Sequence, residues 1–215
     1  TGSNSYTSTS QNPVIPNASV ANAGTYSLTI TSSGCVNTGN ITITVFPVLN
    51  FLSLPTGTTL CAGKTGYLAS SGGTGGSGSY HYSWSPTTGL SIPNAAATGV
   101  TGVTTTDYTL TLSDANCPVT VAPTTVVRVT VNPIPVITMT TTANRGCEPF
   151  CTDLIGSSIP PSAGCTWQFS NNTGMNACGT PNFCFPDHGA YGASLTVTDI
   201  NGCVDSVRQD SFIIV

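Results

Sequence analysis

Nine cysteines and two histidines, His81 and His188, are what this chain of 215 residues offers for metal binding, redox chemistry or proton transfer near neutral pH. Zinc sites favour close pairs such as C-x2-C, often with histidine. The nearest spacings here are Cys147-x3-Cys151 and Cys178-x5-Cys184, so the cysteines read as disulfides formed in an oxidising compartment. Asp187 and His188 are adjacent in a PDHG turn, where neighbouring side chains rarely form a relay, and there is no G-x-S-x-G nucleophile turn. No enzyme is expected. His81, between Tyr80 and Tyr82 on a strand, should face away from both.

Other candidate chemistry is thin. Asp153, Asp187, Asp199, Asp205 and Asp210 concentrate in the last third of the chain. Oxygen-rich loops of this kind make calcium the one cofactor to weigh. No D-x-D-x-[DN]-G loop is present, so no cofactor is expected and the acids should cap turns. The stretch SSGGTGGSGS (70–79) lacks the Lys-Ser or Lys-Thr and the helix of a phosphate loop, and reads as a flexible loop between strands. Tyr67, Tyr80, Tyr82 and Phe51 are the aromatics a sugar-binding face would use. An isopeptide crosslink would need Lys64 to be buried.

Charge narrows the field further. Only 6% of residues are charged, and four of them are basic: Lys64, Arg128, Arg145 and Arg208. That is too little for a nucleic-acid face or an anionic membrane surface. The longest apolar runs are a few residues, so no membrane-inserting helix is expected. A net charge of -4 with 39% hydrophobic residues is not the profile of a disordered chain.

The elements that must carry the cysteines are strands. Three segments read alike: GTYSLTITSSGC (24–35), TDYTLTLSDANC (106–117) and GAYGASLTVTDINGC (189–203). Each has a Tyr, a period-2 alternation of apolar and polar residues, a small turn and a Cys, the pattern of a half-buried strand entering a hairpin. The turn cysteines Cys35, Cys117 and Cys203 lie 82 and 86 positions apart. Upstream, Cys61 precedes Cys117 by 56 positions and Cys147 precedes Cys203 by 56; Trp84 precedes Tyr108 by 24 and Trp167 precedes Tyr191 by 24. The chain is a repeat of roughly 80–86 residues.

A Cys, a strand Trp, a Tyr and a second Cys in this order resemble an immunoglobulin-like sandwich. The expected fold is all-β: tandem immunoglobulin-like or PKD-like sandwiches, the first incomplete. Residues 1–46 form the C-terminal half of one, 47–132 a second, and 133–215 a cysteine-rich third. Trp84, Trp167, Tyr26, Tyr108 and Tyr191 are assigned to cores and corners. The joints VFPVLN and VNPIPV carry prolines and should be stiff. The repeat pairs Cys61 with Cys117 and Cys147 with Cys203. Cys151 and Cys184 lie on strands that neighbour each other in such a sandwich, and Cys165 and Cys178 flank a hairpin. Cys35 is left unpaired. The sequence opens on Thr1, so it reads as a processed product or a piece of something longer, with upstream residues expected to complete the first sandwich; strands given by another chain are the alternative.

The stretch SYHYSWSPTTGLS followed by TTTDYTLTLSDANC resembles the PKD-like and immunoglobulin-like repeats of large secreted surface proteins of Bacteroidota. GCEPFCTDL with CTWQF and GAYGASLTVTDINGC resembles their cysteine-rich repeat, although Phe169 is followed by SNNTG where that family has FGDG. The resemblance implies a gliding or attachment adhesin exported by the type IX system. Asp205-Ser206-Val207 resembles the O-glycosylation site of such proteins, making Ser206 the candidate acceptor. The expected role is a structural or adhesive segment of an extracellular, cell-surface protein or filament, whose partners are copies of itself, flanking repeats of the same polypeptide, or surface glycans. A carbohydrate-binding module array of a secreted hydrolase is the alternative.

Overall fold

The structure, a computed structural model, describes residues 1–117 and 121–215. It is built of strands, with one short 3-10 turn at Val20–Asn22. No helix among the described residues is long and apolar enough to cross a membrane. The residues group into two compact units. One comprises Thr1–Thr56, Tyr67–Gly99 and Tyr108–Val127; the other comprises Gly57–Gly66, Val100–Asp107 and Arg128–Val215.

The first repeat is a single antiparallel hairpin, β1 (Gly24–Ser32) and β2 (Cys35–Ile43), in register from Gly24↔Ile43 to Ser32↔Cys35. The second repeat contains β3 (Asn50–Phe51), β4 (Thr58–Cys61), β5 (Thr65–Ala69), β6 (Gly73–Thr74), β7 (Tyr80–Ser85), β8 (Ala97–Thr101), β9 (Thr106–Asp114) and β10 (Thr124–Asn132). Strands β4, β10, β9 and β7 lie in that order in one sheet, while β5 pairs with β8 and β3 with β6. Strand β4 joins β10 in parallel, ending on Asn132↔Cys61.

The third repeat forms a two-sheet sandwich. Strands β11 (Val136–Thr141), β12 (Phe150–Ile159) and β15 (Asn182–Phe185) make one sheet; β13 (Ser162–Phe169), β14 (Gly174–Met175), β16 (Ala190–Asp199) and β17 (Val204–Ile214) make the other, in the order β14–β13–β16–β17. The first, second and fifth strands face the third, sixth and seventh as A, B and E face C, F and G in an immunoglobulin-like sandwich, with the short β14 added at the edge beside β13. Between the sheets, Leu154 and Phe185 meet Trp167, Phe169, Tyr191, Ala193, Leu195, Val197, Phe212 and Ile213. Strand β16 shows the period-2 reading directly: Tyr191, Ala193, Leu195, Val197 and Asp199 are buried and the residues between them are not. Each large apolar side chain so buried contributes about 1.5–3 kcal/mol. Gly156 on β12 lies close against the facing sheet. A Cβ there would lie 2.6 Å from Leu195 Cδ2 and 3.1 Å from the Trp167 ring.

In the second repeat, Trp84 is buried and its Nε1 donates to the Ala95 carbonyl at 2.9 Å. Leu110 and Leu112 are buried on the same face of β9 as Tyr108.

Candidate functional site

The cysteines are the chemistry of this chain, and the structure joins them differently from the repeat arithmetic. Bonds run Cys151–Cys184, across the β12–β15 register where these two residues face each other, and Cys165–Cys178. The expected Cys61–Cys117 and Cys147–Cys203 bonds are absent. Cys61 is bonded to Cys203, with Cα atoms 5.6 Å apart across 142 positions of sequence. Cys35 and Cys147 are exposed free thiols, and Cys117 is a half-buried one.

The length and direction of strands explain the correction. Cys203 sits in the turn just before β17, whereas Gly146, beside Cys147, donates to the carbonyl of Ile214 at the far end of β17. Eleven residues of strand span about 35 Å, while a disulfide needs Cα atoms within about 7 Å. The same holds along β10: Cys61 pairs with Asn132 at its last residue, and Cys117 precedes its first. The end of β10 leads directly into β11, which brings Cys61 within reach of the Asn201–Gly202 turn of the third repeat. The bond therefore fastens the second repeat to the third, inside the compact unit that holds both residues.

The hairpin turns of the second and third repeats share one construction, whereas the first repeat turns from Ser32 to Cys35 through Ser33 and Gly34 alone. Asp199 Oδ1 accepts from the N–H groups of Asn201 and Cys203, both at 2.8 Å. Asp114 Oδ1 accepts from Asn116 N–H at 3.0 Å. In the second repeat the Gly-rich segment adds more: Ser77 Oγ donates to Asp114 Oδ1 at 2.6 Å and Ser77 N–H to Oδ2 at 2.8 Å. These bonds, the Ser77 hydroxyl foremost, hold the Asp114 carboxyl below the usual carboxylate range, against the opposing effect of burial. The 70–79 segment is thus anchored through Ser77, where composition alone reads as a flexible loop. Asp199 has no counterpart to Ser77, and its buried Oδ2 has no hydrogen-bond partner among the described residues.

The tyrosines are corner residues. Tyr26 Oη donates to the Asn22 carbonyl at 2.7 Å, and Tyr191 Oη to the Asp187 carbonyl at 2.8 Å, each four residues back. Tyr108 Oη donates to Thr88 O at 2.8 Å. Tyr191 and Tyr108 are buried, as are Trp84 and Trp167; Tyr26 is half-buried, because its hairpin lacks a facing sheet. Tyr26, Leu28, Ile30, Ile41 and Ile43 share one face of β1–β2 by register. Leu28, Ile30 and Ile41 are each about 60% exposed. Thr1 and Ser27 exchange backbone hydrogen bonds there (3.0 and 2.8 Å), as Ser170 bonds Gly192 in the third repeat.

The remaining candidates disperse. His81 is exposed while Tyr80, Tyr82 and Trp84 lie on the inward side of β7. Phe51 is buried, which leaves Tyr67 as the exposed member of the aromatic set. His188 Nδ1 stands 3.6 Å from Glu148 on the surface. Lys64 is exposed. Asp153 accepts from Asn182, Asp205 from the Ser206 N–H, and Asp210 from Arg208. Among the described residues no three His, Cys, Asp or Glu side chains are grouped to hold a metal. Ser206 is exposed on β17, the edge strand of its sheet.

No family model matches the chain, and no curated protein matches it. Solved structures similar to it include titin domains I67–I69 (TM-score 0.49, 10% identity, 90% of this chain and 75% of that one). Sidekick-1 immunoglobulin domains 1–5 (TM-score 0.43, 11% identity, 91% and 46%) and extracellular domains 3–5 of Drosophila OTK (0.38, 13%, 92% and 72%) are also similar. At these values nothing of their function passes to this chain.

Proposed function

We propose that the chain is a structural or adhesive segment of a long extracellular surface protein or filament, built of tandem β-sandwich repeats divided near 46/47 and 132/133, the first of them incomplete. The observation that carries this reading is the Cys61–Cys203 bond, which locks one repeat to the next instead of closing either on itself. A covalent joint between beads resists extension and serves reach; it has no use in an isolated binding pocket. Bonded cysteines agree with an oxidising location outside the cell. The resemblance of the Trp84 and Tyr108 segments to Bacteroidota surface repeats supports a setting of that kind, with Ser206 as a glycan acceptor.

The reading assigns no catalysis and no cofactor. Copies of the chain are its partners. A surface with 6% charged residues offers little repulsion or ion desolvation against lateral contact. The apolar face of the β1–β2 hairpin is the first place for such contact. Light scattering of the intact chain over a range of concentrations tests this. Growth in mass with concentration is the expected result; monodisperse monomers throughout would overturn the assembly.

A further inference from the structure

The Cys61–Cys203 bond closes a loop of 142 positions, and that loop contains most of what folds. Trp84, Leu110, Leu112, Leu154, Trp167 and Leu195, fully buried in the second and third repeats, all lie between the bonded residues. So do the other two bonds, with Cys165–Cys178 nested inside Cys151–Cys184. A pull that enters the chain upstream of Cys61 and leaves it downstream of Cys203 meets two covalent routes between those residues. One is the main chain through 62–202. The other is the sulfur bridge, whose Cα atoms are 5.6 Å apart.

The strands on the short route are already drawn out. β4 (Thr58–Cys61) leads into the bond and β17 (Val204–Ile214) leads away from it. A strand rises about 3.2–3.4 Å per residue, and a fully extended chain reaches at most about 3.3–3.6 Å. Detaching either strand from its neighbours therefore releases almost no length. Tension speeds unfolding only through the length that unfolding releases, so it gains little purchase on the cores between the bonded residues. The bridge is also the best shielded of the three bonds. Cys203 is fully buried and Cys61 half-buried, whereas Cys151, Cys184 and Cys178 are exposed. Access helps set the rate at which a thiol attacks a disulfide.

We infer that the Cys61–Cys203 bond is a mechanical bypass: tension along the chain runs through β4, the bridge and β17, and positions 62–202 cannot be drawn out while the bond holds. The surfaces of both repeats then keep their folded shape under loads that would otherwise open them. The bypass acts wherever the chain is held, provided one attachment lies upstream of Cys61 and the other downstream of Cys203. It rests on the reading of the chain as a structural extracellular segment, and adds which covalent route bears the load.

The test stretches single molecules of the full chain between attachments at Thr1 and Val215. C61S/C203S should draw out further than the parent by 109 positions, the 142 of the loop less the 33 that Cys151–Cys184 still closes, or about 360–390 Å. Adding a dithiol to a parent already held under load checks the same point without a variant that could fail to fold. The dithiol's thiolate attacks the Cys61 sulfur, Cys203 leaves as a thiolate, and the dithiol closes into its own cyclic disulfide. The first increment after addition should be 109 positions or more, because cutting a bond inside the loop adds no length until the bridge is cut. A parent that draws out as far as the variant, or increments of 33 positions or fewer ahead of the large one, would overturn the inference. Scattering keeps the two readings apart. Mass that grows with concentration beside equal drawn-out lengths refutes the bypass and leaves the assembly standing; a large first increment beside monodisperse monomers sustains the bypass and refutes the assembly.

Discussion

The hairpin of the first repeat and the hairpin of the third are written in the same pattern and meet opposite fates. Both begin near a Tyr whose hydroxyl bonds the carbonyl four residues back, and both turn through a positive-φ glycine into a cysteine. In β16 every second residue is buried beneath the facing sheet. In β1–β2 the corresponding Leu28, Ile30 and Ile41 are largely exposed, and Cys35 is free. Local sequence is thus enough to set the strand, its register and its corner. Burial and disulfide pairing depend on what is placed opposite.

The two hairpins differ most at their sulfurs, one free and one bonded. Replacing both Cys61 and Cys203 by Ser removes a closed loop of 142 positions, and chain entropy puts the loss near 5 kcal/mol. C35S should leave stability unchanged. Denaturant unfolding of the two variants measures the contrast. Next in size, Trp167→Ala should cost about 3–5 kcal/mol, because it empties the centre of a packed core. Leu28→Ala, on the matching open face, should stay within about 0.5 kcal/mol of the parent at concentrations where the chain is monomeric. An equal cost at both positions would mean that the first hairpin is covered in solution.

Gly156→Ala is a smaller perturbation of the same core. The new methyl would press on Leu195 and Trp167, and a loss of about 1–3 kcal/mol is expected. The smallest effect concerns the turn aspartate of the second repeat. The folded pKa of Asp114 lies below its unfolded value. Its hydrogen bonds therefore add stability above the unfolded pKa, and that stability fades as pH falls through the folded one. Acidification below about pH 4 should speed amide exchange at Ser77 and Asn116, and Asp114→Asn should remove most of that pH dependence.

Much of the fold was legible from spacing. The Trp-to-Tyr and Cys-to-Cys intervals recur, and the alternation in TLTLSD and SLTVTD matches the buried faces of β9 and β16. What equal spacing could not show was proximity. Cys61 and Cys117 are equivalent to Cys147 and Cys203, yet each pair sits at opposite ends of a long last strand. The signal that could have corrected this was strand length: nine to eleven residues between turn and joint exclude a bridge along the strand. The Gly-rich segment misled in another way. Composition reports what a loop permits, while its anchorage came from Ser77 and a carboxylate 37 positions away.

Oxidised sulfur fastens one repeat of this molecule to the next. Mass mapping of the unreduced monomeric chain after proteolysis tests that joint directly. The expected bonded peptides are Cys61–Cys203, Cys151–Cys184 and Cys165–Cys178, with Cys35, Cys117 and Cys147 free; recovery of Cys61–Cys117 and Cys147–Cys203 peptides would contradict it.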